Sequence, residues 1–313
     1  MNLSIIIPAH NEAENIKNTI NEAFSVTDKI SEIKKLEVIV VDDHSSDSTY
    51  AGVVSLGDPR IKCIRLSRNS GSHTALRAGI RKASGEAVLC ISADGQDDPS
   101  CLKDMLEKRK EGAAIVWALR KSRKNESWYV RKPAELFYKI LFYLLSAAGS
   151  KIDLSRADFF LLDRIVADAI NACPERNTSL LGLIAWLGFN QDFVEYERRR
   201  RLSGDSKWSL TSRFSLAKDW VIAFSGVPLK IASLAGILMS IVGALGAVYI
   251  IIDSLFFSNI VAGWTTVVVL ILLLSGIQLT ILGIIGEYLW RNLDESRRRP
   301  LYFIEAAAQN IDS

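Results

Sequence analysis

The sequence predicts an α/β protein: a mostly parallel sheet with helices on both faces, followed by an amphipathic interfacial helix and a two-helix transmembrane hairpin. Three observations carry that expectation. Short apolar runs alternate with helical stretches through the N-terminal third, the rhythm of a parallel sheet covered on both faces. Each apolar run is followed by a loop dense in Asn, Asp and Gly. Near the C-terminus stand two runs without a formal charge, 231–252 (22 residues) and 254–286 (33 residues), and a helix needs about 20 apolar residues to cross the hydrocarbon core.

The strands are expected at 3–7, 37–41, 61–66 and 87–91, and the helices at 12–24 behind an Asn11 cap, at 49–56 and at 74–83. In such a sheet the ligand sits beyond the carboxyl ends of the strands. Those ends carry Pro8, Asn11 and Glu12; Asp42, Asp43, Asp47 and Thr49; Arg68, Asn69 and Gly71; and Ser92, Asp94, Gln96, Asp97 and Asp98. The three histidines, His10, His44 and His73, fall in the same loops. Turns favour Asn, Asp and Gly in any protein, so the signal lies in four such loops meeting at one edge. Neither a G-x-G-x-x-G fingerprint nor a Walker phosphate loop is present, which argues against a dinucleotide dehydrogenase and an NTPase.

Composition narrows the class. Hydrophobic residues make up 49% of the 313, too many for a disordered chain. Between Trp220 and Trp290 only Lys230, Asp253 and Glu287 are charged, and before Lys230 stand 33 basic and 29 acidic residues. A soluble body of mixed charge is thus joined to an apolar piece, and no nucleic-acid binder is expected. The hairpin turn lacks Lys and Arg while arginines flank its outer ends, which puts both termini in the cytoplasm. No signal peptide is expected, because Pro8 and Asn11–Glu12 follow the first apolar residues at once. Cys63, Cys90, Cys101 and Cys173 have no metal-ligand spacing and are expected to be packing residues. The expected division is 1–209 for the α/β domain, 210–227 for the interfacial helix and 228–290 for the hairpin, with spans at about 229–252 and 264–287. A cytoplasmic tail fills 291–313.

Ser92-Ala93-Asp94-Gly95-Gln96-Asp97-Asp98 places a carboxylate and an amide two residues apart, so Asp94 and Gln96 can share one ligand. Oxygen donors suit Mg²⁺ or Mn²⁺ bridging to substrate phosphates. A solvated turn capping a helix near Pro99 explains the same residues equally well.

Ile6-Ile7-Pro8-Ala9-His10-Asn11-Glu12, Asp42-Asp43-His44-Ser45-Ser46-Asp47-Ser48-Thr49, Arg68-Asn69-Ser70-Gly71 and Asp94-Gly95-Gln96-Asp97 resemble the successive motifs of glycosyltransferase family 2, specifically its polyprenyl-phosphate glycosyltransferases. Asp158-Phe159-Phe160-Leu161-Leu162-Asp163-Arg164, the arginines at 198–201 with Gly204-Asp205-Ser206-Lys207-Trp208, and a tail with Gly286-Glu287-Tyr288 and Arg299-Pro300-Leu301-Tyr302 extend the likeness, the tail resembling that of bactoprenol glucosyltransferases. The resemblance implies a GT-A, Rossmann-like catalytic domain. It implies an inverting enzyme that moves a sugar from a nucleotide-sugar, UDP-glucose first among donors, to polyprenyl (undecaprenyl) phosphate.

The resemblance also assigns residues. Asp158 and Asp94 are the catalytic candidates, and Asp94 and Gln96 the metal ligands for Mg²⁺ or Mn²⁺. Pro8, Ala9, Asn11, Glu12, Asp42, Asp43, Asn69, Gly71, Ser92 and Ala93 would line the nucleotide-sugar site. Arg131, Arg198, Arg201, Ser206 and Lys207 would hold diphosphate or lipid phosphate, and Arg120 joins them without a family match, as Arg and Lys suit phosphate oxygens. A solvated or lipid-anchoring face is the competing explanation of 198–201. Ser92, His44, His10 and Phe160 depart from the family, standing where it has Asp, Gly, Tyr and Arg. The implied setting is the bacterial cytoplasmic membrane, with a homo-oligomer packed through hairpin glycines as a further expectation. A weakened relative serving as a lipid-binding scaffold, and a processive polysaccharide synthase, are the alternatives.

Overall fold

The computed structural model describes residues 1–121, 157–176, 178–199 and 263–308, with single positions at 234, 238, 241 and 245. The chain divides into two compact units, Met1–Leu216 with Pro300–Ser313, and Ala217–Arg299.

In the first unit the chain runs β1 (Asn2–Ala9), α1 (Ile16–Thr27), β2 (Lys35–Asp42), α2 (Thr49–Val54), β3 (Ile61–Leu66), α3 (Ser72–Lys82) and β4 (Ala87–Cys90). A 3-10 turn at Pro99–Cys101 then leads into α4 (Leu102–Lys110) and β5 (Ile115–Arg120). After these come β6 (Ala157–Asp163), α5 (Arg164–Ala172), α6 (Leu180–Trp186), β7 (Gln191–Tyr196) and β8 (Ile304–Ala308). The strands form one sheet in the order β7-β5-β6-β4-β1-β2-β3-β8. β1 runs parallel to β2 and β4, β2 to β3, and β5 to β7, whereas β6 is antiparallel to β4 and β5, and β8 to β3. The carboxyl ends of β1 to β5 and β7 therefore share one edge, the edge at which β6 begins.

The central strands are apolar because both their faces are covered. Ile5, Ile6 and Ile7 are all buried, as are Val38 to Val41 on the neighbouring strand; each such side chain contributes roughly 1.5–3 kcal/mol on burial. Gly79 lets α3 lie close on β1, since a Cβ there would stand 2.3 Å from Ile6 Cγ2. The four cysteines are free thiols, and burial pushes the Cys63 thiol up to about 12, as suits a packing residue.

Two local expectations need correction. The first helix begins at Ile16, not 12, and Asn11 does not cap it: Asn11 has φ 55°, and the carbonyl of Glu12 accepts from Asn15 N at 3.0 Å and Ile16 N at 2.9 Å. The expected cytoplasmic tail contributes a strand, because β8 pairs with β3.

In the second unit, α7 (Trp264–Ser296) is one continuous helix, with Leu270, Ile271, Leu274, Leu279, Leu282, Ile285, Leu289 and Trp290 exposed along it. Among the described residues no helix is long and apolar enough to cross a membrane, so the expected hairpin finds no support there. Several side chains of the first turns of α7 lie outside the described residues, and from Leu274 onward the helix contains Gln278, Glu287 and Arg291. The expected interfacial helix at 210–227 also lies outside the described residues, as does the span at 229–252 apart from the four single positions.

Candidate active site

The loops beyond β1 and β2 are hydrogen-bonded into one rim. Asn11 N donates to Ser45 Oγ at 2.9 Å, Ser46 N to Asn11 Oδ1 at 2.8 Å, and Glu12 N to Thr49 Oγ1 at 2.9 Å. The left-handed backbone at Asn11 turns its amide toward Ser45, and Asn tolerates that conformation better than most residues. Glu12 Oε2 accepts from Asn15 Nδ2 at 2.8 Å. Pro8 and Ala9 close β1, where Ala9 O accepts Asp43 N at 2.8 Å.

Asp43 ties the third loop to this rim. It is 3% exposed, and its two oxygens accept Ser70 N at 2.7 Å and Gly71 N at 2.8 Å. Gly71 has φ 88°, a backbone that favours glycine. His10 stands above: Nδ1 is 2.9 Å from Asp43 O, and Asn69 Nδ2 lies 3.0 Å from Nε2. A carbonyl can only accept, so Nδ1 carries the proton and Nε2 accepts from the Asn69 amide. Asp42 differs from its expected role. It is fully buried at the end of a strand covered on both faces, and its carboxylate takes Arg65 at 2.9 Å and Ser45 N at 3.1 Å. Asp42 thus supports the loop from within and makes no surface for a nucleotide.

The fourth loop is the acidic one. Ser92 Oγ lies 2.8 Å from Asp94 Oδ1 and 2.6 Å from Asp97 Oδ2, and Ser92 N donates to Asp97 Oδ2 at 2.9 Å. A carboxylate at position 92 would have placed a third negative charge between those two; the serine hydroxyl bridges them. Ser92 therefore shapes this loop. The other oxygen of Asp97 accepts the hydroxyl of Tyr196 at 2.9 Å, and the Tyr196 ring packs edge-on against Phe159 at 5.0 Å. Ala93 O accepts Thr19 Oγ1 at 3.0 Å, which joins the loop to α1. Asp97 is a structural post, and Asp94 is left as the carboxylate that faces the site.

Arginines cross this loop from the end of β7. Arg198 lies 4.0 Å from Asp94 Oδ2. Arg199 is held by Glu22 and by Asp98 at 2.9 Å, and its backbone N donates to Gln96 O at 3.0 Å. Gln96 Nε2 in turn donates to Arg199 O at 3.3 Å, which leaves the amide oxygen as the acceptor end of that side chain. Asp94 and Gln96 thus present a carboxylate and an amide oxygen, a donor set suited to a hard divalent cation. Among the described residues no group of three His, Cys, Asp or Glu side chains could hold a metal ion. A cation here would take its remaining ligands from phosphate and water, as Mg²⁺ commonly does.

Asp158 sits at the same edge. Ala118 pairs with Phe159 and Leu119 with Ala157, so Asp158 is the extra residue of a bulge. Cys90 pairs with Phe160, which sets Asp158 and Ser92 each two residues beyond that pair. Phe160 is buried against Trp117 at 5.4 Å, so this departure from the family is absorbed by the core. Arg120 ends β5 opposite Tyr196. Arg131, Arg201, Ser206 and Lys207 lie outside the described residues. Tyr196 and Arg65 were missed as site supports, because a tyrosine ending a strand and an arginine within one look in sequence like ordinary edge residues.

A family model described as Glycosyl transferase family 2 matches residues 4–167, more than half of the chain. The chain is 40% identical over 304 residues to the uncharacterized glycosyltransferase YkcC of Bacillus subtilis, covering 96% of this chain and 93% of that protein. It is 33% identical over 309 residues to a prophage bactoprenol glucosyl transferase homolog of Escherichia coli, covering 97% and 99%. Mannosyl-3-phosphoglycerate synthase from Rubrobacter xylanophilus shares the fold at a TM-score of 0.50 and 20% identity, over 71% of this chain and 72% of that one. By these matches the chain belongs to glycosyltransferase family 2 and is a glycosyltransferase with a GT-A-like α/β fold.

Proposed function

We propose that this protein transfers a hexose, glucose from UDP-glucose in the first instance, to polyprenyl (undecaprenyl) phosphate with inversion at C1. The observation that carries this reading is the rim of loops beyond β1, β2 and β3 pinned by Asp43, with the oxygen-lined Asp94–Gln96 turn at the same edge tied to α1 through Ala93 O. Relatives matching nearly the whole chain that are named bactoprenol glucosyl transferase support the choice of acceptor. The charge-free runs and the exposed apolar side chains of α7 support a place at the bacterial cytoplasmic membrane, with the α/β domain and both termini on the cytoplasmic side.

In this mechanism Pro8, Glu12 and the Asp43 turn receive the nucleoside. Asp94 and Gln96 would hold the Mg²⁺ or Mn²⁺, which when bound neutralises charge on the leaving diphosphate. Arg198, already beside Asp94, supplies a second positive charge for the same oxygens. The acceptor is its own nucleophile, since a phosphate monoester with a second pKa of about 6 is largely dianionic at neutral pH. Asp158 is therefore assigned to alignment at the reacting end, where orientation lowers the barrier, more than to proton removal.

The test is incubation of the full-length protein, in vesicles containing undecaprenyl phosphate, with labelled UDP-glucose, other UDP-hexoses and GDP-mannose, each with Mg²⁺ or Mn²⁺. Label appearing in the lipid phase as one sugar per lipid is expected. No lipid-linked label from any donor would favour a scaffold, and chains of sugar would favour a processive synthase.

A further inference from the structure

We infer that the C-terminal strand β8 belongs to the donor site, and that Glu305 is a positioning residue for the nucleotide loop; this rests on the donor-site reading above. β8 pairs with β3 through Cys63–Ala308, Ile64–Ala307 and Arg65–Ala306, and then Leu66 pairs with Ile304. Glu305 is the residue skipped, the extra member of a bulge, and bulges are a common device for re-aiming one side chain. It is aimed at the loop beyond β2: Glu305 Oε2 lies 3.1 Å from Arg65 Nε and 3.3 Å from His44 Nδ1. That histidine nitrogen is also 3.2 Å from Leu66 O, so it faces two acceptors and carries the proton.

An exposed ion pair alone contributes little. This one is distinguished by what Arg65 holds with its other two nitrogens, Asp42 at 2.9 Å and the carbonyl of Ser45 at 3.0 Å. Ser45 Oγ in turn receives Asn11 N at 2.9 Å. A single planar guanidinium thus joins β8 to the end of β2 and to the turn that fixes the loop beyond β1. A fork of that kind is rigid and specific in direction. His44 adds a second link. It stands at φ 56°, a conformation that few side chains adopt, in the loop Glu305 touches. Ser67 N donates to Phe303 O at 3.0 Å, which continues the seating of the tail along the same edge. The C-terminal strand therefore sets the geometry of the nucleotide side and has no bond to the acidic loop among the described residues.

The experiment compares full-length wild type with Glu305→Gln and Arg65→Lys, measuring UDP affinity by calorimetry and KM for donor and acceptor separately. Glu305→Gln should weaken UDP binding and raise donor KM about three- to fivefold, the scale of a partly exposed charge pair, with acceptor KM and kcat at saturating donor unchanged and the thermal midpoint lowered by no more than about 2–4 °C. Arg65→Lys, which replaces a fork with a point charge, should show the same donor-side pattern more strongly. Unchanged UDP affinity in a folded Glu305→Gln protein, or equal losses on the donor and acceptor sides, would overturn the inference. Failure of wild type to bind either UDP or GDP in the presence of Mn²⁺ would refute the donor-site reading, and this inference with it.

Discussion

Tyr196→Phe removes one oxygen and little else. The ring can keep its edge contact with Phe159 at 5.0 Å, while Asp97 Oδ1 loses the hydroxyl at 2.9 Å. Asp97 and Tyr196 are 4% and 3% exposed, so water does not readily replace the lost donor. A buried hydrogen bond to a charged group contributes about 1.5–3 kcal/mol, and the loss in stability should fall near 2 kcal/mol, or a fall in melting temperature of about 4–8 °C for a unit of this size. Asp97 Oδ2 keeps both contacts with Ser92, so the acidic loop should loosen without melting. Its looser hold on Asp94 should lower kcat/KM about tenfold, the effect of about 1.4 kcal/mol at the transition state. Urea unfolding and the lipid-transfer assay measure the two effects on one preparation. A stability change below about 0.5 kcal/mol together with full activity would refute the assignment of Asp97 as the post of the loop.

Asp94→Asn should retain the fold, because an amide oxygen can still accept from Ser92 Oγ, yet lose about 10²- to 10³-fold in turnover; Asp158→Asn should likewise be folded and nearly inactive. Burial lowers the His73 imidazole to about 4 from 6.5, and its Nδ1 accepts Leu180 N at 3.3 Å. The unfolded chain then binds more protons between those values, so stability is full above pH 6.5 and falls toward pH 4, by about 3 kcal/mol in all. Urea midpoints at pH 7.5 and 4.5 should differ less in His73→Asn, which offers Leu180 an acceptor that does not titrate. Gly79→Ala should cost about 1–3 kcal/mol through overpacking against Ile6, and an added Ile6→Ala, which removes the clashing methyl, should produce a loss smaller than the sum of the two single changes.

The parallel core was legible because both its signals are local. Strand β3 appears in sequence at the residues where it occurs, 61–66, and β1, β2 and β4 within two residues, since a continuous apolar run bounded by Pro8, Asp42 or Ser92 has few other uses. The convergence of the loops was legible from topology alone, because parallel strands send their carboxyl ends to one edge. The network within them was not. Nothing in the string Asp42-Asp43 says that the first is sealed against Arg65 and the second grips two backbone amides. Strand β8 was hidden by its composition, since Ala306, Ala307 and Ala308 have weak β-propensity and join the sheet only because β3 offers an open edge. The bulges at Asp158 and Glu305 were hidden for a related reason: a one-residue register shift leaves no mark in the periodicity of a short strand.

The most direct test of the central claim is a crystal structure of the full-length protein with UDP and Mn²⁺. The nucleoside is expected against Pro8, Glu12 and the Asp43 turn, with the diphosphate and metal at Asp94 and Gln96 and Arg198 turned toward the phosphate oxygens. UDP bound away from this rim, or a diphosphate seated with no contact to Asp94, Gln96 or Arg198, would contradict it.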